Sequence, residues 1–221
     1  MKTKAEIIFQ ERILYLKSFL PSGSSILDFG CGKGIFVKIA QKFGYQAFGY
    51  DIDSKANADF YSLKEIPNHF FDAVVCFDVI EHVDDPPKIL KNIRQKLKPN
   101  GLLFITTPNR LGLAGRIIKN KFWGLTPGGH KNVFSLSQME NLLKSAGFKI
   151  IEAKTDIIAW WYLTKIDWLN RFINKIVFLI FSPFKKLLFR LNLGDSIQII
   201  ARCVNRKPLP VWQKKTVVKF N

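Results

Sequence analysis

The chain has 221 residues, with 34 Lys and Arg against 17 Asp and Glu, and its formal net charge is +17. Hydrophobic residues make up 48% of the chain, a content that excludes intrinsic disorder even at this charge. The length suits one domain with an appendage. A chain that is both apolar and basic favours a partner with negative charge, such as a nucleic acid, an anionic membrane surface or a phosphorylated substrate.

Three cysteines, Cys31, Cys76 and Cys203, lie far apart, and no CxxC pair occurs. This pattern predicts buried thiols in a reducing compartment rather than disulfides or a zinc knuckle. Glu6 and Glu11 interrupt the first apolar stretch, so we expect a helix there rather than a signal peptide. The sequence holds no run of the roughly 18 apolar residues that a membrane-spanning helix needs.

Strand-like and helix-like segments alternate over the first 154 residues. The predicted strands are 25–29, 47–50, 73–77, 102–107 and 149–153, and the predicted helices are 36–43, 87–97 and 137–145. This alternation predicts an α/β fold, a doubly wound and mostly parallel sheet with helices on both faces. A last strand is expected at 197–201, after a long segment without this alternation.

The most informative motif is a glycine-rich turn, DFGCGKG at 28–34, between a strand and a helix. Gly30 and Gly32 let the backbone approach a ligand, and the start of the following helix offers free amides to an anionic group. Asp51, at the end of the next strand, can accept from both hydroxyls of a ribose. The GxGxG spacing, with no Ser or Thr after the lysine, excludes a P-loop, and Asp28 favours a ligand that carries an ammonium group.

The chain resembles the class I S-adenosylmethionine-dependent methyltransferases of the small-molecule type, through ILDFGCGKG, GYDID, FDAVVCFDVIEHV, LKPNGLLFITTPN and SAGFKIIEA in that order. The resemblance covers about residues 20–155 and resumes at 194–203. It implies a Rossmann-like, three-layer fold with a seven-stranded sheet, the last strand antiparallel, and S-adenosyl-L-methionine as the cofactor. The expected organisation is a methyltransferase domain at 1–156 and 194–206, a hydrophobic helical insertion at 157–193 and a basic tail at 207–221.

The resemblance also implies roles for individual residues. Asp28 would lie beside the methionine ammonium group, Asp51 would bind the ribose hydroxyls and Ile52 would flank the adenine. Phe77 and Asp78, at the end of the AVVCF strand, would contact the methionine portion. The implied cofactor-binding set is Asp28, Gly30, Cys31, Gly32, Asp51, Ile52, Phe77 and Asp78.

One segment departs from the family pattern. Residues 51–71 are too few for the helix, strand and loop that the family places there, so the helix is expected to be missing and 59–61 to form a short strand. The acidic residue that contacts the adenine amino group has no clear counterpart, and Asp59 and Ser62 are the candidates. We therefore expect an open adenine pocket.

Methyl transfer from a sulfonium needs orientation of the reactants and, for a hydroxyl acceptor, a general base. Histidine suits this task because its unperturbed pKa is about 6.5. His82 follows a strand whose end faces the cofactor, and His130 lies where the family builds its acceptor pocket. We predict both as catalytic residues, with a structural role in its loop as the alternative for each, and we predict that His69 lies on the surface.

Asp78, Glu81 and His82 also resemble a motif of the ubiquinone-pathway O-methyltransferases that has been linked to a divalent cation. Mixed oxygen and nitrogen ligands can hold such an ion. The resemblance leaves a cation open, and the sequence by itself assigns no metal ligand.

Residues 157–193 interrupt the expected step to the last strand. Apolar side chains recur there at helical spacing on both sides of Pro183, with basic residues between them. This pattern predicts two amphipathic helices suited to a bilayer interface, with packing on the domain, dimerisation or a spanning hairpin as alternatives. Residues 155–221 hold 12 basic and 3 acidic residues, so about half of the excess charge lies there. The basic segment 109–131 is either a lid for an acidic acceptor or a solvated loop.

These features predict a methyltransferase for a small or lipid-linked acceptor, such as a quinone, polyprenyl or surface-glycan precursor. The expected site of methylation is an oxygen atom. The enzyme's expected place is the cytoplasm, at the inner face of the cell membrane. The alternatives are an RNA or other macromolecular methyltransferase and a non-catalytic scaffold. Nucleic acid ranks last among the partners, because FDVI at 77–80 is not the motif of base-methylating enzymes and no RNA-binding module is recognisable. The oligomeric state stays open.

Overall fold

The computed structural model describes residues 3–118, 129–156, 172, 175–176, 179, 182–184, 187 and 190–204. In this part of the chain six strands form one sheet. They are β1 (Ser25–Phe29), β2 (Gln46–Tyr50), β3 (Phe71–Phe77), β4 (Leu97–Pro108), β5 (Phe148–Asp156) and β6 (Ser196–Cys203). Their order is β2-β1-β3-β4-β6-β5. The first four strands run parallel, and β6 is antiparallel to both β4 and β5.

Within residues 3–118 and 129–156, the helices beside the sheet are α1 (Lys4–Leu16), α2 (Ile35–Lys42), α3 (Pro86–Lys96), α4 (Leu113–Ile118) and α5 (Leu136–Ser145). Their starts follow ordinary capping chemistry. Thr3 and Ser135 each form a capping box at the first turn of α1 and α5, and Asp85 caps α3 ahead of its prolines. The predicted helices at 36–43, 87–97 and 137–145 are confirmed to within one residue at each end.

The sheet separates two hydrophobic cores. One core packs α1 and α2 against one face of the sheet, and the other packs α3 and α5 against the opposite face. Neighbours along a strand point to opposite faces, so Ile26 joins the first core and Leu27 the second, and both are fully buried. Both faces of β1 are therefore covered, as the continuous apolar run SILDF predicts.

The described residues contain six strands rather than the seven that the resemblance implies. The difference lies between Asp51 and Phe71, where the structure has turns and no helix. A parallel strand needs a crossover of a dozen or more residues, and this segment is too short to supply both a crossover and a strand. What remains of the expected strand at 59–61 is a single parallel bridge between Tyr50 and Phe60.

The last strand is antiparallel, as expected. Ser196, at the start of β6, pairs with Pro108 at the end of β4 and with Asp156 at the end of β5. Both ends of the segment between β5 and β6 therefore lie at the sheet edge where β1, β3 and β4 end. Most of the predicted helical insertion at 157–193 falls outside the described residues, and the tail at 207–221 falls wholly outside them. Among the helices that the structure describes, none has the length and apolar character that crossing a bilayer requires.

Candidate active site

The glycine-rich turn leaves β1 at the carboxyl edge of the sheet. Gly30, Gly32 and Gly34 all adopt positive φ, at 86°, 50° and 66°. The amides of Gly30 and Cys31 both donate to the carbonyl of Tyr50, which holds the turn against the end of β2. A Cβ on Gly30 would collide with Val79, whereas a Cβ on Gly32 would meet no atom within 4 Å. The backbone at Gly32 therefore borders open space, as a close approach to a ligand requires.

Asp51 lies at the end of β2 and is fixed by two backbone amides. Its Oδ2 accepts from the amide of Gly32 at 2.8 Å, and its Oδ1 accepts from the amide of Asp53 at 3.0 Å. Each carboxylate oxygen keeps a second lone-pair direction for a ligand hydroxyl. The neighbouring Ile52 is 85% exposed, so its apolar side chain is available to a ligand such as adenine.

Asp28 is buried at the end of β1, with 4% of its surface exposed. Burial raises the pKa of its carboxyl group to about 7, the Arg12 guanidinium works against this rise, and the charge of Asp51 adds to it. A ligand that brings an ammonium group would stabilise the carboxylate form. The position and the electrostatics of Asp28 thus fit the role that the sequence predicts.

Phe77 and Asp78 end β3 beside this turn. Asp78 has a φ of 57°, a conformation that residues other than glycine seldom adopt, and its Oδ1 accepts from the Thr106 hydroxyl at 3.0 Å. Arg12 of α1 reaches the same place: its guanidinium lies 3.5 Å from the Asp78 carboxylate and 4.3 Å from the centre of the Phe77 ring. Helix α1 therefore borders the edge where the methionine portion of the cofactor is expected.

The side chain of Cys31 packs between β2 and the segment that follows it. Its Sγ lies 3.6 Å from the carbonyl oxygen of Asn57 and lies against Gly49 of β2. Burial raises the pKa of the thiol to about 12, so the thiol is unreactive at neutral pH. The three cysteines are free and buried, as predicted. A part for Cys31 in cofactor binding stays a prediction.

Three side chains meet just beyond the end of β3. Glu81, His82 and His130 place one carboxylate oxygen and one nitrogen from each ring all within 4.8 Å of one another. The two imidazole rings lie 4.9 Å apart, centre to centre. The structure thus brings together the two histidines that the sequence predicts as catalytic, together with Glu81.

Glu81 is 1% exposed, and its two carboxylate oxygens differ in their surroundings. Oε2 accepts from the hydroxyl of Thr107 at 3.0 Å, whereas Oε1 is buried without a hydrogen-bond partner in the part of the chain that the structure describes. Burial, together with the nearby charge of Asp78, raises the pKa of this carboxyl group to about 8.

Two loops are hydrogen-bonded to each other around this cluster. Nδ1 of His82 lies 3.0 Å from the carbonyl of Gly129, and the amides of Lys131 and Asn132 both donate to the carbonyl of Glu81. Burial, together with the neighbouring imidazole of His82, lowers the pKa of His130 to about 4, so His130 is neutral at pH 7.

His69 lies at the opposite end of the sheet. Its Nδ1 is 3.1 Å from the carbonyl of Leu97, which pairs with Phe71 at the start of β3. The side chain is exposed, as predicted. His69 is therefore outside the cluster and serves as a control for the other two histidines.

Comparisons with known proteins identify the family. A family model described as a methyltransferase domain matches residues 3–153. This chain belongs to the S-adenosylmethionine-dependent methyltransferases. A Bos taurus protein named mitochondrial ubiquinone biosynthesis O-methyltransferase is 31% identical over 156 residues, which cover 58% of this chain and 42% of that protein. A Glaesserella parasuis protein named ubiquinone biosynthesis O-methyltransferase is 29% identical over 181 residues, covering 69% of this chain and 75% of that protein.

The fold has solved counterparts. A crystal structure of an S-adenosylmethionine-dependent methyltransferase from Archaeoglobus fulgidus superposes with a TM-score of 0.58 at 21% identity, covering 88% of this chain and 94% of that one. The chain spans less than half the length of the Bos taurus relative and of two further relatives. The chain therefore shares its family and its fold with these proteins, and this similarity by itself assigns no acceptor.

The residues of this methyltransferase fit S-adenosyl-L-methionine. The open space at Gly32 allows a close approach to the backbone, the buried Asp28 suits an ammonium group, and the amide-fixed Asp51 suits the ribose hydroxyls. The cofactor's activated methyl group supplies the chemistry when it is bound.

Sequence reasoning missed three polar residues at this edge. Thr106 and Thr107 end β4 and bind Asp78 and Glu81, and the rule that parallel strands end at one edge could have indicated them. Arg12 lies in a helix without any motif and 66 residues from Asp78, so no local pattern marks it.

Proposed function

We propose that this methyltransferase transfers a methyl group to a hydroxyl oxygen of a small, quinone-like acceptor. The observation that carries the proposal is the Glu81–His82–His130 cluster, which lies beside Asp78 at the end of β3. The names of the Bos taurus and Glaesserella parasuis relatives support a phenolic acceptor. Deprotonation makes a phenolic oxygen a far better nucleophile, and a histidine of this cluster can assist it as a general base.

Incubation with labelled methyl donor and a set of acceptors tests this proposal. We expect product from catechol and hydroxyquinol compounds and none from matched primary amines. His82→Ala should lower turnover about 100-fold or more at saturating donor, since general-base assistance typically contributes that much. His69→Ala should stay within about twofold, because that side chain lies at the other end of the sheet. Methylation of amines or RNA with no phenolic product would refute the proposal.

We further propose that the acceptor is reached at an anionic membrane surface. Large apolar side chains are exposed at the described positions between β5 and β6: Phe172, Ile176, Leu179, Phe184, Leu187 and Leu191. Lys175 and Arg190 are exposed among them. Apolar side chains with neighbouring basic ones suit the boundary of an anionic bilayer.

Residues 192–194, the end of this segment nearest β6, form what we call its root. The root is hydrogen-bonded to the loop that follows β4. The side-chain amide of Asn109 donates to the carbonyls of Asn192 at 3.1 Å and Gly194 at 2.7 Å. The amide of Leu113, the first residue of α4, donates to the carbonyl of Leu193 at 2.9 Å. These bonds hold the root at the edge of the sheet that carries the cofactor residues, which supports delivery of a lipid-borne acceptor to the same edge.

A further inference from the structure

We propose that a cavity beneath α1 is a size-limited pocket for a short apolar substituent on the acceptor ring. The cavity lies between α1 and the parts of β3, β4 and β6 near the carboxyl edge of the sheet, and its volume is about 30 Å³. Its lining includes Tyr15, Leu16, Phe77, Phe104, Gln198 and Ile200. The inference rests on the proposed function, because it states which phenols the site prefers.

The cavity begins at the methionine end of the expected cofactor site. Phe77 ends β3 there, and Thr106 of β4, which also lines the cavity, donates to Asp78. From this point the cavity extends over β4 and β6, which lie on the opposite side of β3 from the glycine-rich turn of β1. Neighbouring strands are about 4.8 Å apart, so the cavity is within one ring width of the end of β3. An acceptor placed beside the donor's methyl group would therefore have the cavity at one edge of its ring.

The floor of the cavity is closed by core side chains. Leu16 is 1% exposed, Ile200 is 3% exposed and Phe104 is 4% exposed. The ring of Phe19 packs edge-on against that of Phe104, with the ring centres 6.0 Å apart. A floor packed in this way does not yield to a longer chain without strain.

The volume of the cavity sets the size of its occupant. A single water molecule needs about 10–15 Å³ of such space, so the cavity admits only two or three heavy atoms. A methyl or ethyl group fits, whereas a butyl group would collide with the floor. The long tail of a lipid-borne acceptor would have to project from a different position on the ring.

The walls favour an apolar occupant. Carbon atoms supply most of the lining, and the two cations nearby already lie against aromatic rings. The guanidinium of Arg12 lies 4.3 Å from the centre of the Phe77 ring, and Nζ of Lys154 lies 3.8 Å from the centre of the Tyr15 ring. An alkyl group entering the cavity therefore leaves water without displacing a charge from its partner. Each methylene removed from water in this way strengthens binding about fourfold.

Gln198 forms the wall that a substitution can change without opening the core. It pairs with Thr106 across β4 and β6, and it shares a face of β6 with Ile200, because residues two apart on a strand point the same way. Its side chain is half-buried, whereas Leu16 and Ile200 are fully buried. We therefore assign Gln198 as a specificity-determining residue for the size of the ring substituent.

The test compares catechol with 3-alkyl and 4-alkyl catechols, from methyl to hexyl, at saturating methyl donor. At one of the two ring positions, kcat/KM should rise about fourfold for each of the first one or two carbons. From ethyl to butyl at that position it should fall roughly tenfold or more, because the longer chain no longer fits. Calorimetric titration of the full chain bound to S-adenosylhomocysteine should give the same order of affinity without turnover.

Variants of Gln198 should change this order in opposite directions. Gln198→Ala enlarges the pocket and should move the optimum from ethyl toward butyl. Gln198→Phe fills it and should lower the ratio of kcat/KM for ethylcatechol to that for catechol about tenfold. Arg202→Ala, at an exposed position farther along the same face of β6, is the matched control and should keep the wild-type order. Circular dichroism checks that each variant is folded.

Three outcomes would overturn the inference. Equal kcat/KM and equal affinity for catechol and all alkyl catechols would assign the cavity to core packing alone. An unchanged order in folded Gln198→Ala and Gln198→Phe would do the same. In both cases methylation of catechol would leave the proposed function intact, whereas a chain that neither binds nor methylates any catechol would overturn the proposed function as well.

Discussion

At the scale of single residues, the carboxyl groups of Asp28 and Glu81 share one property. Both are almost fully buried at the carboxyl edge of the sheet, and burial raises the pKa of Asp28 to about 7 and that of Glu81 to about 8. Removing a carboxylate from water disfavours its charged form unless a cation compensates. Each site is therefore electrostatically complementary to a cation, and at Asp28 this cation would be the ammonium group of the cofactor.

The raised pKa of Asp28 makes cofactor affinity depend on pH. Only the carboxylate form pairs with an ammonium group, and its population falls as the pH drops below about 7. Calorimetric titration with S-adenosylhomocysteine, the product that keeps the ammonium group, should therefore show weaker binding at pH 6 than at pH 8. Asp28→Asn should weaken binding about 10- to 100-fold, because it removes a hydrogen bond to a charged group, and should flatten the pH profile. An unchanged pH profile in Asp28→Asn would contradict this assignment.

The raised pKa of Glu81 affects stability with a definite sign. The ordinary pKa of a glutamate is 4.5, whereas the pKa of Glu81 in the folded chain is about 8, so folding favours the protonated form. This contribution to stability is fully present below the unfolded-state pKa and is lost as pH rises through about 8. Thermal unfolding of the chain in the presence of a chelator should show a Tm that falls from pH 5 to pH 9, and Glu81→Gln should reduce the slope. Glu11→Gln, at an exposed position of α1, should keep the wild-type slope.

Individual residues were predictable where a motif fixes the backbone around them. Asp28, Gly32 and Asp51 follow from strand ends and a glycine spacing, and the structure holds Gly32 and Asp51 together by a hydrogen bond. Thr107 was missed although it ends a predicted parallel strand, a position that the strand-end rule marks. Arg12 was missed because its partner Asp78 lies 66 residues away, and such a contact arises from tertiary packing, which no local pattern encodes.

At the scale of elements, the glycine-rich turn contains two glycines that are needed for different reasons. Gly30 has positive φ and a crowded Cβ direction toward Val79, whereas Gly32 has positive φ and an open Cβ direction. Packing against Val79 therefore excludes a side chain at Gly30, whereas only a bound ligand would exclude one at Gly32.

Alanine at each of these glycines should separate stability from binding. Gly30→Ala adds a steric clash to the backbone strain and should lower the free energy of unfolding by more than the roughly 1 kcal/mol of strain alone. Gly32→Ala should cost about that strain alone but should weaken S-adenosylhomocysteine binding at least tenfold, because its Cβ enters the ligand's space. Urea unfolding and calorimetry measure the two effects. This division would be contradicted if Gly30→Ala and Gly32→Ala lost the same free energy of unfolding and if Gly32→Ala bound S-adenosylhomocysteine as tightly as the wild type.

The elements themselves were predictable to the extent that local periodicity determines them. The α/β alternation predicted the helices to within one residue, yet β4 begins at Leu97, five residues before the predicted 102–107, because a further pair with Phe71 extends it. The seventh strand of the resemblance is absent from the described residues because 51–71 offers too little chain for its crossover. The short length of this segment, rather than its residue types, accounts for the missing strand.

At the scale of the whole molecule, the charge is divided unevenly. Residues 1–154 hold 22 basic and 14 acidic residues, an excess of 8, whereas the shorter remainder holds 12 and 3, an excess of 9. The helical expectation for 157–193 lies mostly outside the described residues, but its described apolar side chains are exposed and its root is bonded to Asn109. A bilayer that contacted this segment would lie near the edge that carries Asp28, Asp51 and Glu81.

Vesicle flotation of the full chain tests this orientation. We expect binding to vesicles with anionic lipid, weak binding to zwitterionic vesicles, and release by high salt, which screens exposed charges.

Lys175→Gln with Arg190→Gln should lower the partition coefficient roughly 30-fold, since each basic residue near anionic lipid contributes about 1 kcal/mol. Phe172→Ser with Leu179→Ser should weaken binding at any lipid charge. Lys38→Gln with Lys42→Gln, on α2, is the matched control and should float like the wild type. Equal flotation of all three variants would refute the membrane role, and salt-sensitive binding to RNA in place of vesicles would assign the charge to a nucleic acid instead.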